Sequence, residues 1–218
     1  NASLPQIQGE IGATGTEGAK HLLQDKDYPG FILSEQHTDT NSKKFLVDNM
    51  AQLKASGVNT LYIEHVRFTD HQKAVDEFMS SSDAEVQGPL RTFIDASDEK
   101  YSLKDKHPNN LRGVIEAAKA NGLRVVGIDS AMAKDPRGAS YDLPLRAKLM
   151  NTYAESVIRN DTPARNGGKY VVLVGEAHSH THAGQPHGHP GLSQLLEVPA
   201  IRTDGGKLSL HEEDKSLR

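Results

Sequence analysis

Four short apolar runs punctuate the chain, and each passes at once into an ionisable residue. Gly30-Phe31-Ile32-Leu33 leads to Glu35 and His37, Val58–Ile63 to Glu64 and His65, Leu123–Ile128 to Asp129, and Lys169–Val174 to Glu176 and His178. Runs this short, rich in β-branched and aliphatic residues, read as buried strands. Helical periodicity fills the gaps between them. Phe45, Leu46, Val47, Met50 and Leu53 recur at spacings of three and four over Lys44–Ala55, and Gly57 closes that helix. Asn109–Asn121 is amphipathic and ends at Gly122; Leu145–Arg159 carries Leu145, Leu149, Tyr153 and Val157 on one stripe. Strand, helix and strand within about 25 residues make a βαβ crossover, which demands a parallel pair.

The expected fold class is therefore α/β: a single domain over residues 1–218 with a central, mostly parallel sheet flanked by helices. Residues 1–19 read as a loose N-terminal segment or a short helix and 69–106 as a helical insertion or lid. Pro163–Gly168 reads as a turn and Gly191–Leu196 as a short helix. An edge hairpin is expected to turn at Asp204-Gly205-Gly206, with 205–218 a frayed tail.

A chain of 218 residues buries enough surface to fold without a covalent or metal staple. It has no cysteine, which excludes a thiol nucleophile, a Cys-ligated zinc and a disulfide scaffold. A net charge of −4 gives no reason to expect nucleic acid as a partner. The apolar runs are far shorter than the roughly 20 residues of a membrane-spanning helix. No Gly-x-Ser-x-Gly, Gly-x-x-x-x-Gly-Lys-Ser/Thr, Gly-x-Gly-x-x-Gly or His-Glu-x-x-His motif supports a serine hydrolase, a nucleotide enzyme or a zincin. The chain starts at Asn1 with no apolar leader, as a fragment or processed form does.

In a parallel sheet all strand carboxyl ends lie on one edge, where ligands bind. Glu35, His37, Glu64 and His178 are thus expected to face one cleft. Carboxylates beside imidazoles can carry general acid–base chemistry or hold a divalent metal ion. A single acid after a strand is more often a helix cap, but four strand ends of four are hard to assign to capping. The loop HSHTHAGQPHGHPG adds His180, His182, His187 and His189. It reads either as a metal-binding tract or as a mobile polar loop; His178 stands apart because its place after a strand matches His37.

These segments resemble, in order, the motifs of the superfamily that joins erythromycin esterases, ChaN-like lipoproteins and TIKI/TraB proteins. The resemblance lies in Ile32-Leu33-Ser34-Glu35-Gln36-His37, Leu61-Tyr62-Ile63-Glu64, Ala120–Asp129, Arg146–Asn151, and Val171–His178 with Gly191-Leu192. It covers residues 31–196, and Ser34 stands where the superfamily usually has glycine. It implies an α/β fold with a Glu/His site at the strand ends. It implies hydrolysis of an ester, amide or other bond by an esterase- or metalloprotease-like enzyme, with His37, Glu35, Glu64 and His178 as catalytic residues or ligands of a divalent metal. Arg146, Glu176 and His65 would bind substrate, and Asp129 would orient a histidine. The toxin and type III effector branch, with its dermonecrotic-type toxins, is the most similar. A secreted bacterial protein delivered into a host cell follows, acting on an unidentified host substrate or host protein. The alternatives are an iron- or haem-binding protein of the ChaN type and a non-catalytic effector domain that binds a host protein.

Strand ends and loop make opposite forecasts. Removing a positioned acid or base typically costs about 10²–10⁴-fold in rate. Alanine at His37 or His178 is expected to abolish the biochemical or cell-level effect with the fold intact, whereas His187→Ala with His189→Ala retains most of it. Activity beside a thermal melt for each variant checks this; a dead but folded loop variant with an active His37→Ala would move the site to the loop.

Overall fold

The computed structural model describes residues 15–130, 143–180, 189–204 and 207–210. Helix α1 (Gly15–Lys20) runs into a π-helical turn at His21–Asp25, and β1 (Gly30–Glu35) follows. Next come α2 (Asn41–Ala55) and β2 (Val58–Arg67). Helices α3 (Phe68–Ser80), α4 (Gly88–Lys100) and α5 (Leu111–Ala120) precede β3 (Arg124–Asp129). Then α6 (Leu143–Asn160) and the single turn α7 (Thr162–Arg165) lead to β4 (Lys169–Gly175). Two short helices, α8 (Glu176–Ser179) and α9 (Leu192–Leu196), precede β5 (Ala200–Asp204) and β6 (Lys207–Leu210).

The six strands form one sheet in the order β3-β2-β4-β1-β5-β6. Every pairing is parallel except β5 with β6. Strands β2, β4 and β1 are consecutive neighbours inside the sheet, with Ile63 beside Leu173 and Glu35 beside Gly175. Three of the four ionisable strand ends thus belong to adjacent strands, and β3 adds Asp129 at the edge.

Alternate residues along each strand enter two separate cores, as the period of two requires. Phe31, Leu33, Leu61, Ile63, Val171 and Leu173 pack with residues of α2, α3, α4 and α5. Ile32, Tyr62, Val126, Val172 and Val174 pack with Met150, Ala154 and Ile158 of α6 and with α9. The buried face of α6 is Ala147, Met150, Ala154 and Ile158, whereas Leu145 and Leu149 are half exposed. This corrects the stripe read from sequence. Both faces have helical spacing, and the one with small alanines lets the helix approach the sheet.

The N-terminal stretch contains the short helix α1, with Ala19 in the core. The expected edge hairpin corresponds to β5 paired antiparallel with β6, and Leu208 and Leu210 are buried. The turn expected at 163–168 begins inside α7. The helical insertion at 69–106 takes the form of α3 and α4.

Edge strand β3 is closed by one side chain. Gln72 of α3 donates to the Val125 carbonyl at 2.9 Å and accepts from the Gly127 N–H at 2.7 Å, standing in for a neighbouring strand. An orphaned buried polar group costs about 1–3 kcal/mol. Gln72→Leu is therefore expected to lower stability by about that amount in urea unfolding, with the denaturant slope unchanged.

Candidate active site

The strand β1 carboxylate lies at the bottom of the site. The Glu35 side chain is 1 % exposed. Its Oε2 accepts from Lys43 Nζ at 2.6 Å, and its Oε1 accepts from His37 Nδ1 at 2.7 Å. His65 Nε2 is 2.8 Å from the same Oε1 but off the line of a hydrogen bond, so that contact is electrostatic rather than directional. Burial pushes the Glu35 carboxyl up, but the His65 ring, the hydrogen bonds and Lys43 outweigh it and hold the group well below the usual carboxylate range.

Above this base stands the Glu64 carboxylate. Its Oε2 accepts the Gly175 N–H at 2.7 Å. Its Oε1 faces two imidazoles, His37 Nε2 at 3.7 Å and His178 Nε2 at 3.6 Å. His178 is carried into place by α8, the one turn that follows β4. Its Nδ1 is 2.8 Å from Asn151 Oδ1. Because Asn151 Nδ2 donates to the Pro190 carbonyl, Oδ1 is the acceptor, and His178 Nδ1 carries the proton. Nε2 is then the bare nitrogen, turned towards Glu64.

The two imidazoles are driven in opposite directions. Burial dominates at His178 and lowers its pKa, although Glu64 pulls the other way. Burial also acts to lower His37, but the Glu35 hydrogen bond and the Glu64 and Glu35 charges prevail and raise it. One site thus holds an imidazole biased to neutral and another biased to charged, a split that suits a base and an acid.

The open side is a cleft of ≈ 290 Å³ lined by His37, Glu64, His65, Arg67, Phe93, Ala96, Ser97, Lys100, Tyr101, Asp129 and Arg146. Helix α4 forms one wall, and Tyr101 stacks on the His37 ring with centroids 4.8 Å apart. The structure thus brings Glu35, His37, Glu64 and His178 together. Arg146 lines the same cleft. Glu176 instead lines a neighbouring polar cleft beyond Glu35, with Asp39, Arg202 and Asp204. His65 is nearly buried, edge-on behind His37 at 5.2 Å, and backs that ring more than it meets solvent. Asp129 accepts from the Ser130 N–H at 2.7 Å, and the histidine-orienting role expected of it falls to Asn151. His180 is buried against Ser179 Oγ at 2.9 Å and is no mobile loop side chain. His182 and His187 lie outside the described residues.

The atoms grouped tightly enough for a metal, among the described residues, are those of Glu35, His37 and His65, not the four expected ligands. They do not fit a divalent cation. The Lys43 ammonium fills Oε2, and a cation on Oε1 would sit against a buried positive charge. Lys43, Asn151 and Tyr101 are the residues sequence reasoning missed; Asn151 had appeared there only within a helix motif.

Gly175 has no room for a side chain. A Cβ there would fall 2.7 Å from His37 Nε2 and 3.4 Å from Glu64 Oε2. Gly175→Ala is expected to melt within a few degrees of the parent yet lose about 10²-fold in activity, the cost of an ångström-scale misplacement. Wild-type activity in a folded variant would show that the His37–Glu64 geometry is not needed.

No protein-family model matches the chain. The multifunctional-autoprocessing repeats-in-toxin protein of Vibrio vulnificus is 30% identical over 210 residues, covering 94% of this chain and 4% of that toxin. The crystal structure of RRSP, a MARTX toxin effector domain from Vibrio vulnificus, superposes with a TM-score of 0.72 at 27% identity, covering 98% of this chain and 41% of that one. The C-terminal region of Pasteurella multocida toxin, which has a thiol-protease-like catalytic triad, superposes with a TM-score of 0.72 at 18% identity, over 99% of this chain and 29% of that one. That second likeness is one of fold alone, and a chain without cysteine cannot carry a thiol triad. The chain thus spans a small fraction of the toxin it matches and less than half of the solved effector domain. The likeness to toxin and effector domains read from the motifs is matched by these structures.

Proposed function

We propose that this chain, similar over nearly its whole length to a toxin effector domain, is a hydrolytic domain of a bacterial toxin or effector that cleaves an ester or amide bond in a host cell. The observation that carries the reading is the pair of oppositely biased imidazoles facing one Glu64 oxygen at 3.6 and 3.7 Å.

The chemistry follows from the opposite proton bias of the two imidazoles. A water within reach of His178 Nε2 and Glu64 Oε1 attacks the substrate carbonyl carbon and gives its proton to the bare Nε2. His37, protonated at both nitrogens and held through Nδ1 by Glu35, gives its Nε2 proton to the departing nitrogen or oxygen as the carbonyl re-forms. Glu64 steadies the positive charge that moves from one ring to the other. Arg146, in the cleft wall, supplies a cation for the carbonyl oxygen as negative charge develops. Delivery into a host cell is proposed by likeness to the toxin domains. Among the described residues no helix is long and apolar enough to cross a membrane.

Purified protein incubated with host-cell lysate, followed by labelling of newly formed protein N-termini, tests the amide case. Wild type is expected to create new termini that His37→Ala and His178→Ala do not; identical patterns in all three would overturn it, and ester hydrolysis would be sought by the same comparison on small acyl esters. The pH dependence is a second measure. A base with lowered pKa loses activity only below the ordinary histidine value of about 6.5, and an acid with raised pKa loses it only above that value. A bell spanning pH 6.5 on both sides is therefore expected, with limbs owned jointly through Glu64. A profile flat from about pH 5 to 9 contradicts the assignment.

A further inference from the structure

We infer that Lys43 is the resident counter-cation of this site, a positioning residue whose ammonium takes up part of the Glu35 charge that His37 and His65 would otherwise answer alone. The inference rests on the hydrolytic reading only for what His37 does, not for where Lys43 lies.

Both side chains of the pair are 1 % exposed, with Nζ 2.6 Å from Oε2. Lys43 therefore cannot touch substrate. Its delivery is built into the fold. Lys43 lies in the first turn of α2, and the preceding Ser42 Oγ donates to the Ser34 carbonyl at 2.7 Å. The helix start is thus tied to the end of β1 twice in succession, once through backbone and once through charge.

A buried carboxylate needs a compensating charge. Three groups converge on Glu35: one ammonium and two imidazoles. Of the three only the ammonium takes Oε2, while both imidazoles meet Oε1. With Oε2 taken by Lys43, His37 can give up and regain its proton without leaving the buried Glu35 charge unanswered. The Lys43 charge also opposes protonation of His37 directly. Without Lys43, Glu35 and His37 form a locked carboxylate–imidazolium pair. A purely structural role makes a different forecast, because a buried ion pair is replaceable by uncharged residues of like volume with little loss of stability.

The test uses the full chain with 15N-labelled histidine, in wild type, Lys43→Met and Lys43→Arg. Long-range proton–nitrogen spectra at fixed pH report the imidazolium fraction of His37. Lys43→Met is expected to raise the proton affinity of His37 by at least about tenfold, and Lys43→Arg, which keeps the cation, to leave it near the wild-type value. An unchanged His37 spectrum in folded Lys43→Met overturns the inference, as does a shift in Lys43→Arg as large as in Lys43→Met. Should Lys43→Met fail to fold, Lys43→Met with Glu35→Gln removes both charges together. There the His37 imidazolium fraction is expected to fall below wild type, and a wild-type value overturns the inference. A fully active His37→Ala would overturn the hydrolytic reading and leave each of these readings standing.

Discussion

A carboxylate taken wholly out of water must find its charge answered within the protein, and Glu35 is such a group. Its two oxygens collect Lys43 from α2, His37 from the loop after β1 and His65 from β2. Three segments are thereby pinned to one point beneath the cleft. His37, oriented from below through Nδ1, has only its Nε2 left to offer, and that nitrogen faces Glu64. Breaking one side of such a buried pair typically costs about 3–5 kcal/mol, so the arrangement holds the fold together as well as the site.

The sheet order supplies the second constraint. Because β2, β4 and β1 are adjacent and parallel, their carboxyl ends emerge within a few ångströms of each other. The central strand β4 contributes a backbone N–H at Gly175, and the lack of a Cβ there lets His37 and Glu64 close over it. One turn further on the same chain presents His178. Rigid strands thus place Glu35 and Glu64, the turn after β1 places His37, and a single helical turn places His178.

Charge bias then divides the labour. Identical side chains become different reagents because one imidazole is more deeply buried and has a single carboxylate beside it, while the other is hydrogen-bonded to one carboxylate and faces a second. The Lys43 ammonium completes the scheme by taking the Glu35 oxygen that the two imidazoles leave free. In this site the cation is part of the chain.

Much of this was legible in the residues alone. Periodicity located the strands, the parallel order followed from the helices between them, and the four strand-end residues followed from the rule that such ends share an edge. What escaped depended on angle and on distant partners. Lys43 and Lys44 are neighbours in sequence, yet a turn of about 100° per residue puts one in the buried pair and the other in a solvent-exposed pair with Asp48. Leu145 and Leu149 have the spacing of a core stripe, but Ala147, Met150, Ala154 and Ile158 face the sheet because small side chains permit closer packing. Asn151 reaches His178 across 27 residues of chain, and His65, next to Glu64, turns back towards Glu35. Local sequence determined which elements form and which ends carry charge. Only the tertiary structure decided which of those charges meet, because that depends on helix rotation and on contacts between residues far apart in the chain.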